Sequence, residues 1–169
     1  MRKDCGGIAD GHPAQTHSLS VIVLDHLRLA EVHSKSDPAQ VVRYAYPISD
    51  ASGAQTLSLA YTELGPGGAI PWHYDSTDDE VLLVLDGEVE VTVQVSIEHE
   101  SATVARGSAL HIPAHKPHTV RNVASATARA VHLFGRPAVT VTFADPVMPL
   151  DVTVVGGYGA VDQQEEKTA

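Results

Sequence analysis

The sequence predicts an all-β protein, built as a sandwich or a barrel. Short runs of β-branched and apolar residues recur from Ser18 onward at a spacing of about ten residues, separated by Gly, Pro or Ala-Ser turns. No stretch combines a helical period of apolar residues with capping signals, and the best helical candidate is a single turn near residues 25–30. Many short strands without helices are typical of sandwich and barrel architectures.

The first half of the chain contains five predicted strand regions. SLSVIVL and HLRLAEVH come first, and AQVVRYAYPI follows the break at Asp37-Pro38. TLSLAYTEL alternates, which places Leu57, Leu59 and Tyr61 on one face. The turn sequence GPGG then leads into AIPWHYD, a strand interrupted by Pro71.

The second half begins with VLLVL, whose continuous apolar character predicts a strand covered on both faces. Asp86-Gly87 follows it and predicts a tight hairpin. EVEVTVQV then alternates, with its four valines on one face. The remaining predicted strands are SATVA, SALHIP, HTVRNV, ARAVHLFG and AVTVTFA.

Length and composition favour one domain over residues 18–155, between a flexible tail at 1–17 and a disordered tail at 156–169. Eleven basic against twenty-one acidic residues give a net charge of −10, which argues against nucleic acid and anionic membranes as partners. The single cysteine, Cys5, fits a reducing compartment. We find no apolar signal region after MRKD and no apolar run as long as a membrane span, so we expect a cytoplasmic protein.

A cluster of potential metal ligands lies around the VLLVL strand. His73 and Asp75 are two residues apart, so an extended chain would direct both side chains to one face. Glu80 follows at the start of VLLVL, and HIPAHKPH brings a further histidine, His118, some forty residues later. Imidazole and carboxylate groups joined in this way predict a divalent metal site in a β-barrel.

These residues resemble both motifs of the cupin superfamily. Its first motif has the spacing of Gly67, His73, Asp75, Glu80 and Gly87, with Asp75 in place of the second histidine. The second motif matches Gly107, Pro113, His118 and Asn122, with His115 where a glycine usually lies. The motifs cover residues 67–122, and the resemblance implies a double-stranded β-helix, or jelly-roll barrel.

The resemblance also implies a ligand set of His73, Glu80 and His118, with Asp75 in fourth place. Two imidazoles and one carboxylate suit non-haem Fe(II), which makes Fe(II) the favoured metal. A second carboxylate would favour a harder ion such as Mn(II), and Zn(II) and Ni(II) stay open as well. Asp75 could instead move protons, or its presence could mark a degenerate site that binds no metal.

Other polar residues have weaker claims to a role. His111 is a candidate acid or base beside the second motif, although a structural role is the alternative. His132, in a late strand, is a candidate for the cavity or the core. Asp78 and Asp79 fit a solvated loop. Arg43, Arg121 and Arg129 are candidate clamps for an anionic substrate, with their orientation unknown.

Three functions follow from this site. An Fe(II) dioxygenase acting on a small organic molecule is the simplest, and a metal-assisted isomerase, cyclase or lyase is the second. The third is a ligand-binding module with an apolar cavity walled by residues such as Leu82 and Val84. We further expect a homodimer, because the apolar strands between Ser18 and Ile48 exceed what one small barrel needs.

Overall fold

The computed structural model describes residues 21–33, 41–75 and 78–143, and this part of the chain is almost entirely β. Its strands are β1 (Ala30–His33), β2 (Val41–Ile48), β3 (Ser58–Leu64), β4 (Ala69–Asp75), β5 (Glu80–Asp86), β6 (Glu88–Val95), β7 (Glu98–Ala105), β8 (Ala109–Ile112), β9 (His118–Asn122), β10 (Ala128–Phe134) and β11 (Val141–Phe143). Two 3₁₀ turns, Leu24–His26 and Asp50–Ser52, are its only helical elements. The described residues therefore contain no helix long and apolar enough to cross a membrane. Both predicted tails lie outside them.

The strands form two antiparallel sheets. One has the order β1-β2-β3-β10-β5-β8 and the other the order β11-β4-β9-β6-β7. From β4 onward the chain changes sheet at nearly every connection. In this part of the chain, β6 and β7 are the only two consecutive strands that pair with each other. This winding confirms the predicted all-β jelly roll.

Apolar side chains from both sheets meet between them to form the core. The buried cluster consists of Leu64, Leu82, Val84, Val89, Val91, Val104, Ile112, Val120, Ala128 and Ala130. On β5 only alternate residues are fully buried, and Val81 on the opposite face is 37% exposed, so the prediction of a strand covered on both faces was wrong for that residue. On β6 the alternation holds for Val89 and Val91 but fades at Val95, which is 38% exposed near the strand end.

The Asp86-Gly87 dipeptide is not the predicted hairpin turn. It lies between β5 and β6, but β5 pairs with β10 and β8, whereas β6 pairs with β7 and β9. Gly87 has a φ of 75°, and a Cβ placed on it would lie 3.0 Å from Cα of Ala128. The glycine therefore carries the chain from one sheet to the other at a close crossing over β10.

The segment before β1 also differs from its prediction. Residues 21–23 form no strand and lead into the 3₁₀ turn at Leu24–His26, close to the predicted helical candidate. Asp25 in this turn lies 3.7 Å from Arg129 of β10, which places the turn against the outer face of the larger sheet. Tyr61, one of the three residues predicted to share a face of β3, is on this outer face and only 1% exposed. The inner face of β3 instead carries Ser58, Ala60, Thr62 and Leu64, all buried.

Candidate metal centre

Three buried side chains from both sheets converge near one end of the barrel. His73 and His118 are directly opposite each other on the neighbouring strands β4 and β9. Glu80 begins β5 in the other sheet. The three residues can each offer one ligand atom such that all these atoms lie within 4.8 Å of one another. Such a separation is compatible with three ligands around a single ion, as two-histidine, one-carboxylate sites require.

Backbone carbonyls hold both imidazole rings in the tautomer that a metal needs. Nδ1 of His73 donates to the carbonyl oxygen of Pro71 at 2.7 Å, and Nδ1 of His118 donates to that of Lys116 at 2.9 Å. A carbonyl oxygen can only accept, so in each neutral ring the proton is on Nδ1 and the lone pair is on Nε2. Metal-binding histidines in proteins are oriented by contacts of this kind.

The two oxygens of the Glu80 carboxylate have different environments. Oε1 accepts a hydrogen bond from Nδ1 of His132 at 2.5 Å. Oε2 lies 3.2 Å from Nε2 of His118, but it has no partner with hydrogen-bond geometry among the described residues. A buried carboxylate oxygen without a hydrogen bond is costly in a protein interior. A cation between the three side chains would satisfy it, so this donor set fits a divalent metal.

Burial makes the charge states of the site unusual. Desolvation, reinforced by the nearby His118, lowers the pKa of His73 to about 3, so this ring is neutral at physiological pH. Burial alone would raise the pKa of Glu80, but its contacts with His132 and His118 outweigh that effect and hold the pKa well below its ordinary value. The site therefore presents a neutral imidazole beside an ionised carboxylate, which suits a divalent cation.

The other two residues predicted from the sequence are not seen in this cluster. Asp75 ends β4, two positions after His73, but its side chain lies outside the described part of the structure, so its role stays a prediction. His111 is on the outer face of β8 with its side chain 58% exposed, and Nε2 lies 2.9 Å from Asp79. The structure thus separates His111 from the buried ligands, and its candidate acid-base role stays a prediction.

Two loop carboxylates have partners that the sequence did not suggest. Asp79 accepts the backbone N–H of Ala114 at 2.9 Å as well as the His111 contact, and both interactions lower its pKa. Asp78 lies 3.1 Å from Arg136. These contacts attach the start of β5, and therefore Glu80, to the loops on either side.

The cationic side chains proposed as substrate clamps all lie on exposed positions. Arg43 pairs with Glu31 at 2.6 Å, Arg129 lies near Asp25 and Glu63, and Arg121 is exposed on β9. An open pocket beside Arg129 and Tyr61 is on the outer face of the sheet, and none of the three candidate metal ligands lines it. Near the site the barrel interior is instead apolar, with Leu82 and Val84 fully buried as predicted.

His132, which the sequence left undecided between the cavity and the core, lies buried beside Glu80. It is 4% exposed on β10, with Nδ1 on Glu80 and Nε2 3.0 Å from Oγ1 of Thr62. The alternation of ARAVHLFG contained a signal, because it places His132 on the same face as Ala130 and Phe134, both of which are buried. Its two partners could not be read from that local pattern.

Comparisons with known proteins agree with this architecture. A family model described as a cupin domain matches residues 60–134. Germin-like protein 1-2 of Oryza sativa subsp. japonica is 32% identical over 155 residues, covering 85% of this chain and 69% of the relative.

Solved structures with the same fold include enzymes of oxalate. The formate complex of Lactobacillus farciminis oxalate decarboxylase matches with a TM-score of 0.62 and 20% identity, over 71% of this chain and 34% of that chain. Oxalate oxidase in complex with the substrate analogue glycolate matches with a TM-score of 0.58 and 23% identity, over 61% and 55%. Bacillus subtilis oxalate decarboxylase, studied for its Mn(II) centres, matches with a TM-score of 0.56 and 18% identity, over 62% and 28%. The chain thus spans about a third of the decarboxylase chains and about half of the oxidase, and at these identities the likeness shows the fold.

Proposed function

The chain belongs to the cupin superfamily, and on this premise we propose that it is a divalent-metal-dependent enzyme acting on a small organic molecule. The observation that carries the proposal is the convergence of His73, Glu80 and His118, all at most 5% exposed, from three strands of two sheets. Burial of the Glu80 carboxylate is costly unless both of its oxygens are satisfied, and Oε2 has no hydrogen-bond partner among the described residues. The apolar barrel interior behind them supplies no alternative partner for the Oε2 oxygen of Glu80.

The residues of the chain would each have a definite task. The two imidazoles, fixed by the carbonyls of Pro71 and Lys116, would offer Nε2, and Glu80 would offer Oε2. A bound divalent ion would polarise a coordinated substrate oxygen and, if it is Mn or Fe, could also exchange electrons. The surrounding apolar side chains would exclude water and so strengthen each electrostatic interaction in the site.

We favour a small carboxylate as the substrate and Mn(II) as the metal. The structural relatives include enzymes named for oxalate, one of them with glycolate bound and one studied for its Mn(II) centres. The described interior carries no arginine or lysine beside the ligands, since the candidate arginines are exposed. A small anion would therefore depend on the metal itself for its charge partner, and a carboxylate oxygen is a ligand that Mn(II) accepts well.

An Fe(II) dioxygenase is the second candidate, and the composition of the ligand set favours it. Two histidines and one carboxylate, with positions left open, are the arrangement used by non-haem Fe(II) oxygenases. The two candidates differ in the metal that supports turnover and in whether the substrate is a small carboxylate.

Reconstitution of the metal-stripped protein separates these candidates. Protein loaded with Mn(II) or Fe(II) would be supplied with oxalate, glycolate and other small organic molecules, while oxygen uptake and carbon dioxide release are recorded. Glu80→Gln, which keeps the shape and removes the charge, is the matched control. Turnover with Mn(II) and a small carboxylate supports the first candidate, and oxygen uptake with Fe(II) alone supports the second. Metal binding without any turnover would indicate a ligand-binding module instead, and the enzyme proposal would be abandoned.

Asp75 is proposed as either a fourth ligand or a proton-transfer group. Asp75→Asn nearly preserves shape while it removes the charge. Loss of both metal and turnover would indicate ligation, whereas loss of turnover alone would indicate proton transfer. Unchanged metal content and activity would remove Asp75 from the site.

We also propose a homodimer in the cytoplasm. β1 is an edge strand of the larger sheet, and apolar residues on the exposed surface include Val21, Val23, Leu57 and Leu133. A second copy could pair with this edge and cover these residues. Light scattering over a range of concentrations tests the dimer: a constant mass near the 17.9 kDa of one chain would contradict it. The cytoplasmic location is supported by the single cysteine, and cell fractionation would test it.

A further inference from the structure

We infer that His132, together with Thr62, is a positioning residue that makes Glu80 a ligand through one oxygen only. The inference rests on the proposed metal centre and concerns how its carboxylate is held. His132 is not itself among the residues grouped around the candidate ion. It acts through Glu80, so its effect should appear in the affinity and geometry of the bound metal.

The strand register brings the three residues together in the barrel interior. β10 lies between β3 and β5, and His132 is opposite Ala60 on one neighbour and Leu82 on the other. Thr62 and Glu80 are each two positions from those partners, so they flank His132 diagonally on its two sides. A diagonal separation between strands is within reach of a long side chain such as histidine. Thr62, His132 and Glu80 are exposed by 5%, 4% and 1%, so water does not compete for their contacts.

Two hydrogen bonds hold the His132 ring in place. An ionised Glu80 can only accept, so Nδ1 of His132 donates to Oε1 across 2.5 Å. Nε2 lies 3.0 Å from Oγ1 of Thr62, and a hydroxyl can either donate to a ring nitrogen or accept from it. Both nitrogens of His132 are thus engaged, one on each side, and the imidazole is held in one orientation.

This arrangement gives the two oxygens of the Glu80 carboxylate different roles. Oε1 is engaged by His132, whereas Oε2 has no hydrogen bond among the described residues and lies 3.2 Å from Nε2 of His118. Oε2 is therefore the oxygen more available to an ion. A carboxylate without this restraint could rotate or bind an ion through both oxygens.

Four variants test the inference in the full-length protein. His132→Leu removes the donor and keeps an apolar side chain, whereas His132→Asn places an amide N–H near the position of Nδ1. Thr62→Val removes the hydroxyl at nearly constant volume, and Thr62→Ser retains it. Mn(II) is the probe. Its Kd and the electron paramagnetic resonance spectrum of the bound ion are measured, and circular dichroism of the metal-free proteins shows that each variant is folded.

We expect His132→Leu to raise the Kd for Mn(II) by about 10- to 100-fold, the range found when partners of metal ligands are removed. The spectrum should change as well, because the carboxylate geometry changes. His132→Asn should recover most of the affinity and the wild-type spectrum. Thr62→Val should weaken binding less than His132→Leu, and Thr62→Ser should behave as wild type.

The outcomes separate this inference from the proposed function. If folded His132→Leu binds Mn(II) with the wild-type Kd and spectrum, the inference is overturned while the metal centre stands. A Kd for His132→Asn as high as that of His132→Leu would show that packing, not the donated hydrogen bond, matters, and would overturn the inference too. If His132→Leu does not fold, an unchanged Kd and spectrum in Thr62→Val overturn it. Wild-type protein that binds none of Mn, Fe, Zn or Ni would overturn the metal centre and this inference with it.

Discussion

Asn122 ties together the segments that lead to both histidine ligands, and Asn122→Ala should therefore destabilise the fold strongly. Nδ2 of its side-chain amide lies 2.8, 3.0 and 2.8 Å from the carbonyl oxygens of Leu64, Gly65 and Ala126, so its two hydrogens are shared among three acceptors. Its Oδ1 accepts the backbone N–H of Ala124 at 2.8 Å. The residue is 1% exposed, so water cannot replace these bonds without rearrangement.

The magnitude follows from those contacts. A hydrogen bond in a protein contributes about 0.5–1.5 kcal/mol net, and a buried group left without a partner costs about 1–3 kcal/mol. Four such contacts give an expected loss of about 3–5 kcal/mol in the free energy of unfolding, out of about 5–15 kcal/mol for a typical domain. Asn122→Asp should lose at least as much, because its carboxylate would face carbonyl oxygens.

Urea denaturation of the metal-free protein measures this loss. Val123→Ala is the matched control, because Val123 is the next residue and 46% exposed, so it should shift stability by no more than about 0.5 kcal/mol. A loss of less than about 1 kcal/mol in the free energy of unfolding for Asn122→Ala, with the m-value unchanged, would contradict the expectation that these hydrogen bonds stabilise the fold.

Buried charge and backbone geometry give three further expectations. In metal-free protein the pKa of His73 is about 3 against an ordinary 6.5, so as the pH falls the unfolded state binds a proton before the folded state does. Between pH 6.5 and pH 3 the free energy of unfolding of the wild type should therefore fall by about 1.4 kcal/mol per pH unit relative to that of His73→Asn. Parallel plots of this free energy against pH, measured by urea denaturation, would contradict this expectation. Gly87→Ala should destabilise the fold by about 1–3 kcal/mol more than Gly107→Ala, because both glycines have positive φ but only a Cβ at position 87 would contact Ala128. Equal decreases in melting temperature for the two variants would contradict this. His115 has a φ of 61°, so His115→Gly should raise stability by up to about 1 kcal/mol, and a clear loss would show that the ring contributes contacts.

Local pattern was sufficient for the strands but not for their pairing. Alternation and turn residues correctly indicated strands such as β6. The same pattern suggested a hairpin at Gly87, because a turn sequence does not state whether the flanking strands share a sheet. That choice depends on contacts with β10, which is distant in sequence.

The candidate site was predictable to the extent that motif spacing defined it. The spacing predicted that His73, Glu80 and His118 would come together, and the structure brings them together. The role of His132 was not predictable, because its partners are 70 and 52 residues away in the sequence. Contacts over such distances follow from strand order, which the sequence alone did not provide.

Metal content per chain tests the central claim most directly. Wild-type protein purified after growth with Mn, Fe, Zn or Ni should retain about one divalent ion per chain by elemental analysis, because three buried ligands, two imidazoles and one carboxylate, would hold the ion. His118→Asn should lose most of that metal, whereas His111→Asn, which alters an exposed histidine, should keep it. Equally low metal in wild type and His118→Asn under all four supplements would contradict the account and indicate a degenerate site.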